Sequence, residues 1–285
     1  MPSTYAHYRF GCRVFESLPL DIQGVISRHR GNYDIGQHGP DILFYYKPLK
    51  SNSINSQGGS MHKIKGSELF TRFAMLLNAN PGDEALESYL IGFVCHYALD
   101  SHCHSYIENK IRISGIDHVS IEAAMDRYLL LQDKKAPLGE SLSGHIKPGD
   151  EISRCASMVF DGVSEKDINK ALKSFHFYDD LLSAKNPLIR GFITAALRVT
   201  GNYDSKHGLM MPKGQTPGTE DSDLRLSKLF DKAVKDAPDM INSFLKAAKK
   251  GEPLNDPMFS GTFGPWTGWQ DIPVLSYKEE MSYEV

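Results

Sequence analysis

Apolar positions recur at helical rather than strand spacing along nearly all of the 285 residues, which predicts an all-α protein. Residues 4–18 carry Tyr5, Tyr8, Cys12 and Phe15 on one stripe, closed by Pro19. A second helix is predicted over 19–30, with Pro19 and Asp21 in its first turn, where a missing N–H and a negative charge both suit a helix start. Residues 31–40 read as a turn-rich link, Asp41 opens a short apolar helix, 50–60 read as a polar loop, and 66–79 return to a helix. A long helix is predicted from about 83 to 113, broken at Ser114-Gly115, followed by another over 117–132 with Asp117 near its N-cap. After a polar linker at 133–148, helices are predicted at 149–160, 165–185, 187–199 and 222–250, with a weakly periodic loop at 200–220. Ser164 and Asp167 have the spacing of a capping box. Residues 251–285 hold Trp266 and Trp269 among Pro and Gly, and read as an irregular aromatic tail on the surface of the core. No hairpin signal or internal repeat interrupts the pattern.

Composition narrows the function classes. An apolar content of 41% is enough to bury a sizeable core. A net charge of −3 and a pI near 6.4 give no basic footprint, so duplex nucleic acid is not an expected partner. Phosphoester substrates stay open, because bound metal ions bring their own positive charge. The first residues lack a basic stretch followed by an apolar one, and no run reaches ~18 apolar residues, so neither a signal peptide nor a transmembrane segment is expected. Cys12, Cys95, Cys103 and Cys155 are sparse, and Cys95 and Cys103 stand roughly 12 Å apart along one helix axis, too far for a disulfide. A reduced, cytoplasmic protein is the expectation.

The candidate chemistry lies in the long central helix. His96, Asp100 and His104 follow i, i+4, i+8 and so stack on one helical face. His118 and Glu122 repeat the i, i+4 spacing in the next helix. An ion pair on a solvated face is the ordinary reading of such spacing. Here Leu90, Ile91, Phe93, Val94, Tyr97, Ala98 and Leu99 surround the stripe, so the helix is expected to be buried. A buried carboxylate among imidazoles is costly unless a cation compensates it, and these donors are the ones zinc takes. His102 points about 120–160° away from the stripe, which favours His104 as the ligand. His29, His145, His176 and His207 have no such context. Asp41 follows a Gly39-Pro40 turn and His62 follows the 50–60 loop; alone they would be a helix N-cap and a loop histidine, but with His7 they are candidates to complete a multi-metal centre.

These stretches resemble the zinc-dependent phospholipase C family, whose all-helical fold is shared with P1-type nucleases. The likeness rests on residues 2–11, on 36–45 with Gly39-Pro40-Asp41, on 91–100 with His96-x-x-x-Asp100 and His104, and on His118-x-x-x-Glu122. The resemblance implies up to three zinc ions. One would be held by Asp41, His62, His96 and Asp100. A second would be held by His7, a bridging Asp100 and the main-chain amine and carbonyl of the N-terminal residue, Met1 or Pro2. The third would take His104, His118 and Glu122. It also implies Asp41 as the general base.

The expected organisation is a metal-binding helical core at 1–132, further helices of the same domain at 133–250, and the tail at 251–285. The expected activity is zinc-dependent hydrolysis of a phosphoric ester, of phospholipase C type, on a phospholipid or other small phosphoester. The aromatic tail (Phe263, Trp266, Trp269, Tyr277) is either a peripheral membrane contact or core packing. The rivals are a P1-like nuclease or nucleotidase, and a metal-stabilised helical binding protein without turnover. No Ser–His–Asp, Cys–His or P-loop arrangement competes with the metal reading.

Overall fold

The helix Glu84–Ser114 is the axis on which the rest of the fold is assembled. In the computed structural model, which describes residues 4–139 and 141–285 (and leaves the side chains of 204 and 205 aside), the regular structure is all helical, with no strand among the described residues. In order, the helices are α1 (Thr4–Ser17), α2 (Leu20–Arg28), α3 (Arg30–Gly36), α4 (Ser53–Met61), α5 (Gly66–Asn78), α6 (Glu84–Ser114), α7 (His118–Gln132), α8 (Asp150–Val159), α9 (Glu165–Leu182), α10 (Pro187–Val199), α11 (Tyr203–Lys206), α12 (Glu220–Lys250) and α13 (Tyr277–Glu280). A 3₁₀ segment, Gly39–Tyr45, lies between α3 and α4. The Asp83 carboxylate caps the start of α6 by accepting from Leu86 N–H at 3.0 Å, and Gly115, in the left-handed region at φ 72°, ends it.

Helix α6 is buried on nearly every side because α3, α12 and α1 cover different faces. The contact with α3 is backbone against backbone. A Cβ on Gly36 would lie 2.1 Å from the Tyr89 carbonyl oxygen, and one on Gly92 would lie 2.3 Å from that of Tyr33. Any side chain at either position would push the two helices apart. This close approach fixes where the 3₁₀ segment after α3 meets α6, and therefore where Asp41 is delivered.

Several segments differ from the sequence expectation: α11 lies within the loop expected at 200–220, and the helix expected from Asp41 is the 3₁₀ segment Gly39–Tyr45. Residues 31–36, expected as part of a link, belong to α3, held locally by an Arg30–Asp34 pair at 2.6 Å and by burial of Tyr33 and Ile35. Their helical stripe is too short to register as a period. Residues 53–61, expected as a loop, form α4. The Asn52 side chain accepts from the Ile54 and Asn55 N–H groups while the Asn55 side chain accepts from Asn52 N–H, a capping box built from two asparagines. Polar, glycine-rich composition hides that helix.

The tail lies on the surface of the body as expected, with Trp266 and Tyr277 exposed, but it sinks a few side chains into the core. Leu254, Phe259 and Phe263 are fully or almost fully buried. Phe259 stacks on Tyr97 with ring centres 5.3 Å apart. The segment is tied along α6 by Ser105, which accepts from Trp266 N–H at 2.9 Å, and by Asn109, which donates to the Ile272 carbonyl at 2.6 Å. Its end is pinned by Glu280, wholly buried, whose carboxylate meets the Arg225 guanidinium of α12 at 2.6 Å. Such packing has no period along the chain, so no pattern announces it.

Candidate metal centre

Five helical elements deliver side chains to one place. The start of α1 is clamped by Asp126 of α7, whose two carboxylate oxygens accept from Tyr5 N–H at 3.1 Å and Ala6 N–H at 2.8 Å. That clamp sets His7 on the inward face of α1. The 3₁₀ segment carries Asp41. Gly39 precedes it at φ 46°, and a Cβ there would sit 2.5 Å from the His96 ring, so glycine is needed both for the turn and for the imidazole beside it. Helix α4 ends at His62, whose Nδ1 meets the Gly58 carbonyl one turn back at 2.8 Å. Helix α6 carries His96, Asp100 and His104, and α7, capped by Asp117, opens with His118 and carries Glu122.

Asp100 is the centre of the cluster. Its Oδ1 lies 3.4 Å from His7 Nε2 and 3.8 Å from His104 Nε2, and its Oδ2 lies 3.3 Å from His96 Nε2 and 3.9 Å from His62 Nε2. Asp41 Oδ1 is 3.2 Å from His62 Nε2. Glu122 Oε1 is 3.1 Å from His118 Nε2 and 3.6 Å from His104 Nε2. Three sets have donor atoms close enough to hold a metal ion: His7, His96 and Asp100; Asp41, His62 and His96; and His104, His118 and Glu122.

The imidazoles are oriented as ligands are. His62, His96 and His104 each turn Nδ1 to a main-chain carbonyl, of Gly58 (2.8 Å), Gln37 (3.1 Å) and Phe263 (2.5 Å) respectively, and His118 Nδ1 faces Glu108 at 3.6 Å. An Nδ1–H donated outward leaves the Nε2 lone pair pointing into the cluster, the arrangement that metal-ligating histidines use. The buried His96 Nε2, which faces the cluster, has no hydrogen-bond partner. Orphaned buried polar atoms are rare and need a reason. A cation among these donors supplies one, so the residues fit zinc.

Mutual electrostatics keep the acids ionised. Burial by itself would raise the Asp100 carboxyl, but His104 and His96 hold it well below the usual carboxylate range. Burial likewise opposes ionisation of Glu122 and Asp41, and His118 and His62 respectively hold them down. His62 is pushed up to about 8: burial lowers it, and Asp41 and Asp100 more than reverse that. Glu122 lifts His118 to about 10. Burial and the stacked His96 ring, 4.3 Å away, lower His7.

All eight residues named from the sequence converge here. His102 does not: its Nδ1 faces the Ala98 carbonyl and its Nε2 meets Asp236 of α12 at 2.9 Å, away from the centre. The N-terminal residue lies outside the described residues. Sequence reasoning passed over Glu108, Asp126 and the carbonyls of Gln37, Gly58 and Phe263. Glu108 continues the i+4 ladder of His96, Asp100 and His104 by one more step, and Asp126 continues that of His118 and Glu122, so both had a readable signal. The carbonyls had none, because a backbone acceptor can belong to any residue type.

The centre opens into a cavity of about 330 Å³ to which His7, Asp41, His62, Asp100, His104 and Glu122 contribute walls. Phe44, Gly59 and Val119 also line it, and the same three residues border a second, mostly apolar cavity of about 540 Å³ walled by Tyr45, Leu142, Leu182 and Met211. No helix among the described residues is long and apolar enough to cross a membrane. No curated protein and no solved structure matches the chain. The sequence model of the zinc-dependent phospholipase C family matches residues 6–180, a span that contains every donor of the three sets, and the chain belongs to that family of zinc-dependent phosphoesterases.

Proposed function

We propose that this protein hydrolyses a phosphodiester of phospholipase C type, with water as nucleophile and Asp41 as the proton acceptor. The observation that carries this reading is the position of Asp100, with both oxygens within 4 Å of imidazole nitrogens from two donor sets that share His96, beside a third set 3.8 Å away through His104. Asp41, His62, His96 and Asp100 would hold one ion, His7 and Asp100 a second, and His104, His118 and Glu122 a third. Zinc, when bound, supplies positive charge to the phosphoryl oxygens and makes water easier to deprotonate near neutral pH.

The remaining work belongs to side chains of this chain. Asp41 lines the cavity and is ionised, so its carboxylate is available to accept a proton there. His62, with Nδ1 fixed by Gly58, orients that carboxylate through the 3.2 Å contact. Attack of water on phosphorus breaks the ester bond to the leaving oxygen. One proton of the water passes to Asp41 and the departing alcohol takes the other, giving a phosphomonoester and an alcohol. The adjoining apolar cavity favours an alcohol with a hydrophobic body, which supports a lipid substrate over a nucleotide.

A substrate panel tests this. Phosphatidylcholine, a bis(p-nitrophenyl) phosphodiester and single-stranded DNA are to be compared with the purified protein. Release of phosphocholine and diacylglycerol is the expected result. Faster cleavage of the DNA would favour the nuclease reading, and a fully metallated protein that hydrolyses none of the three would favour a binding protein.

A further inference from the structure

We infer that α10 is a docking helix for an anionic lipid surface. The helix turns its apolar side outward. Leu188, Phe192 and Val199 are 82%, 75% and 88% exposed, and with the exposed Ala195 they follow i, i+4, i+7, i+11, a stripe within about 60° of the helix circumference. Ile189 widens it on one side. No other helix among the described residues presents four large exposed apolar side chains. A helix packed on a core normally hides such a stripe, and a contiguous apolar patch left in water marks an interaction site.

The opposite side of α10 explains why the stripe stays out. Ile193 is its buried residue, Leu197 is half-buried, and the Arg190 guanidinium donates to the Met211 carbonyl at 2.9 Å, so the helix is fastened to the body by the side opposite the stripe. Its orientation is therefore built in.

Charge selects the occupant. Between 184 and 219 the chain has Lys185, Arg190, Arg198, Lys206 and Lys213 against one acid, Asp204, in a protein of net charge −3. Lys185 and Lys213 are exposed, and Arg198 lies over the Tyr203 ring at 4.8 Å. An apolar stripe with the exposed Lys185 just before its helix and the exposed Arg198 on it matches the interface of an anionic bilayer. A second copy of the chain fits less well, since a two-fold contact through this face would set one basic border against another. The location agrees. The segment after α10 contributes Lys206, Leu209 and Met211 to the apolar cavity that shares Phe44, Gly59 and Val119 with the metal centre. A lipid held at α10 would stand beside that route inward.

This inference concerns adsorption and goes beyond the hydrolytic reading. Flotation of the full chain with vesicles of phosphatidylcholine, and of phosphatidylcholine mixed with phosphatidylglycerol, tests it. Binding to the anionic vesicles, weakened by salt, is expected. Leu188→Ser with Phe192→Ser should lower the partition coefficient at least about tenfold with an unchanged melting temperature, because both side chains already face water in the free protein. Three results would overturn the inference: no binding of the unmodified protein, equal binding by the double variant, or a sedimentation dimer that the double variant abolishes. Vesicle binding without lipid turnover would leave the docking helix standing and remove the lipid as substrate. Turnover of the soluble diester without vesicle binding would remove the docking helix and leave the hydrolytic reading standing.

Discussion

Replacing Asp100 by Asn changes a charge and almost nothing in shape, and the consequences should divide unevenly among the three donor sets. Asp100 belongs to the set with His7 and His96, lies 3.9 Å from His62 in the second, and is absent from the set of His104, His118 and Glu122. Removing one unit of charge about 4 Å from a cation is worth at least about 4 kcal/mol at an effective dielectric constant of ~20. At 1.4 kcal/mol per decade, that is roughly a thousandfold loss of affinity for each ion Asp100 touches. Inductively coupled plasma mass spectrometry on protein purified without added zinc, after dialysis against a weak chelator, would read the difference directly. The unmodified chain should retain up to three equivalents, one for each donor set, and Asp100→Asn close to the single equivalent of the third set. Turnover should be lost in parallel, while the far-UV circular dichroism stays helical. Unchanged metal content in Asp100→Asn would refute the bridging role. Uniform loss of all metal with the fold intact would show that the sets are not separable as described.

Asp41→Asn should leave the melting temperature near that of the unmodified protein and lower turnover by about 10²–10⁴, the range of a lost general base; steady-state kinetics on a soluble phosphodiester would check it. Glu108→Gln, which loosens the hold on His118 Nδ1, should weaken the third ion by about 10–100-fold in a competitive zinc titration. Asp126→Ala deprives the first turn of α1 of two acceptors and should cost about 1–2 kcal/mol in urea unfolding. In metal-free protein His62 and His118 hold protons up to about 8 and 10, so zinc uptake at pH 7 should release protons, as calorimetry in buffers of different ionisation enthalpy would register, and release should shrink toward pH 10. Because the His62 pKa is raised by folding, its contribution to the stability of the metal-free protein is fully present below about 6.5 and is lost as pH rises through about 8; denaturant midpoints across that window should fall, and a rise would reverse the assignment.

Much of this molecule was legible in its sequence for a specific reason. The donors on α6 and α7 repeat at i, i+4, and the apolar surround of the α6 stripe marks His96 and Asp100 as buried, so spacing and burial together single out His96, Asp100 and His104, with His118 and Glu122 following by the same spacing. The same periodicity turned His102 outward, to Asp236. What escaped depends on contacts between distant segments. Helix α4 is made by a local asparagine capping box that composition disguises. Phe263 fills a gap beside His62, His96 and Tyr97 and offers its carbonyl to His104, a role decided by three-dimensional packing and not by any pattern in 251–285. The Gly36–Gly92 contact is of the same kind: each glycine is unremarkable alone and essential only because the other faces it.

Anomalous diffraction at the zinc edge, from crystals of protein grown without added metal, measures the central claim most directly. Peaks are expected between Asp41, His62 and His96, beside His7 and Asp100, and between His104, His118 and Glu122. Protein that is correctly folded, keeps these side chains together and yields no peak among them would contradict it.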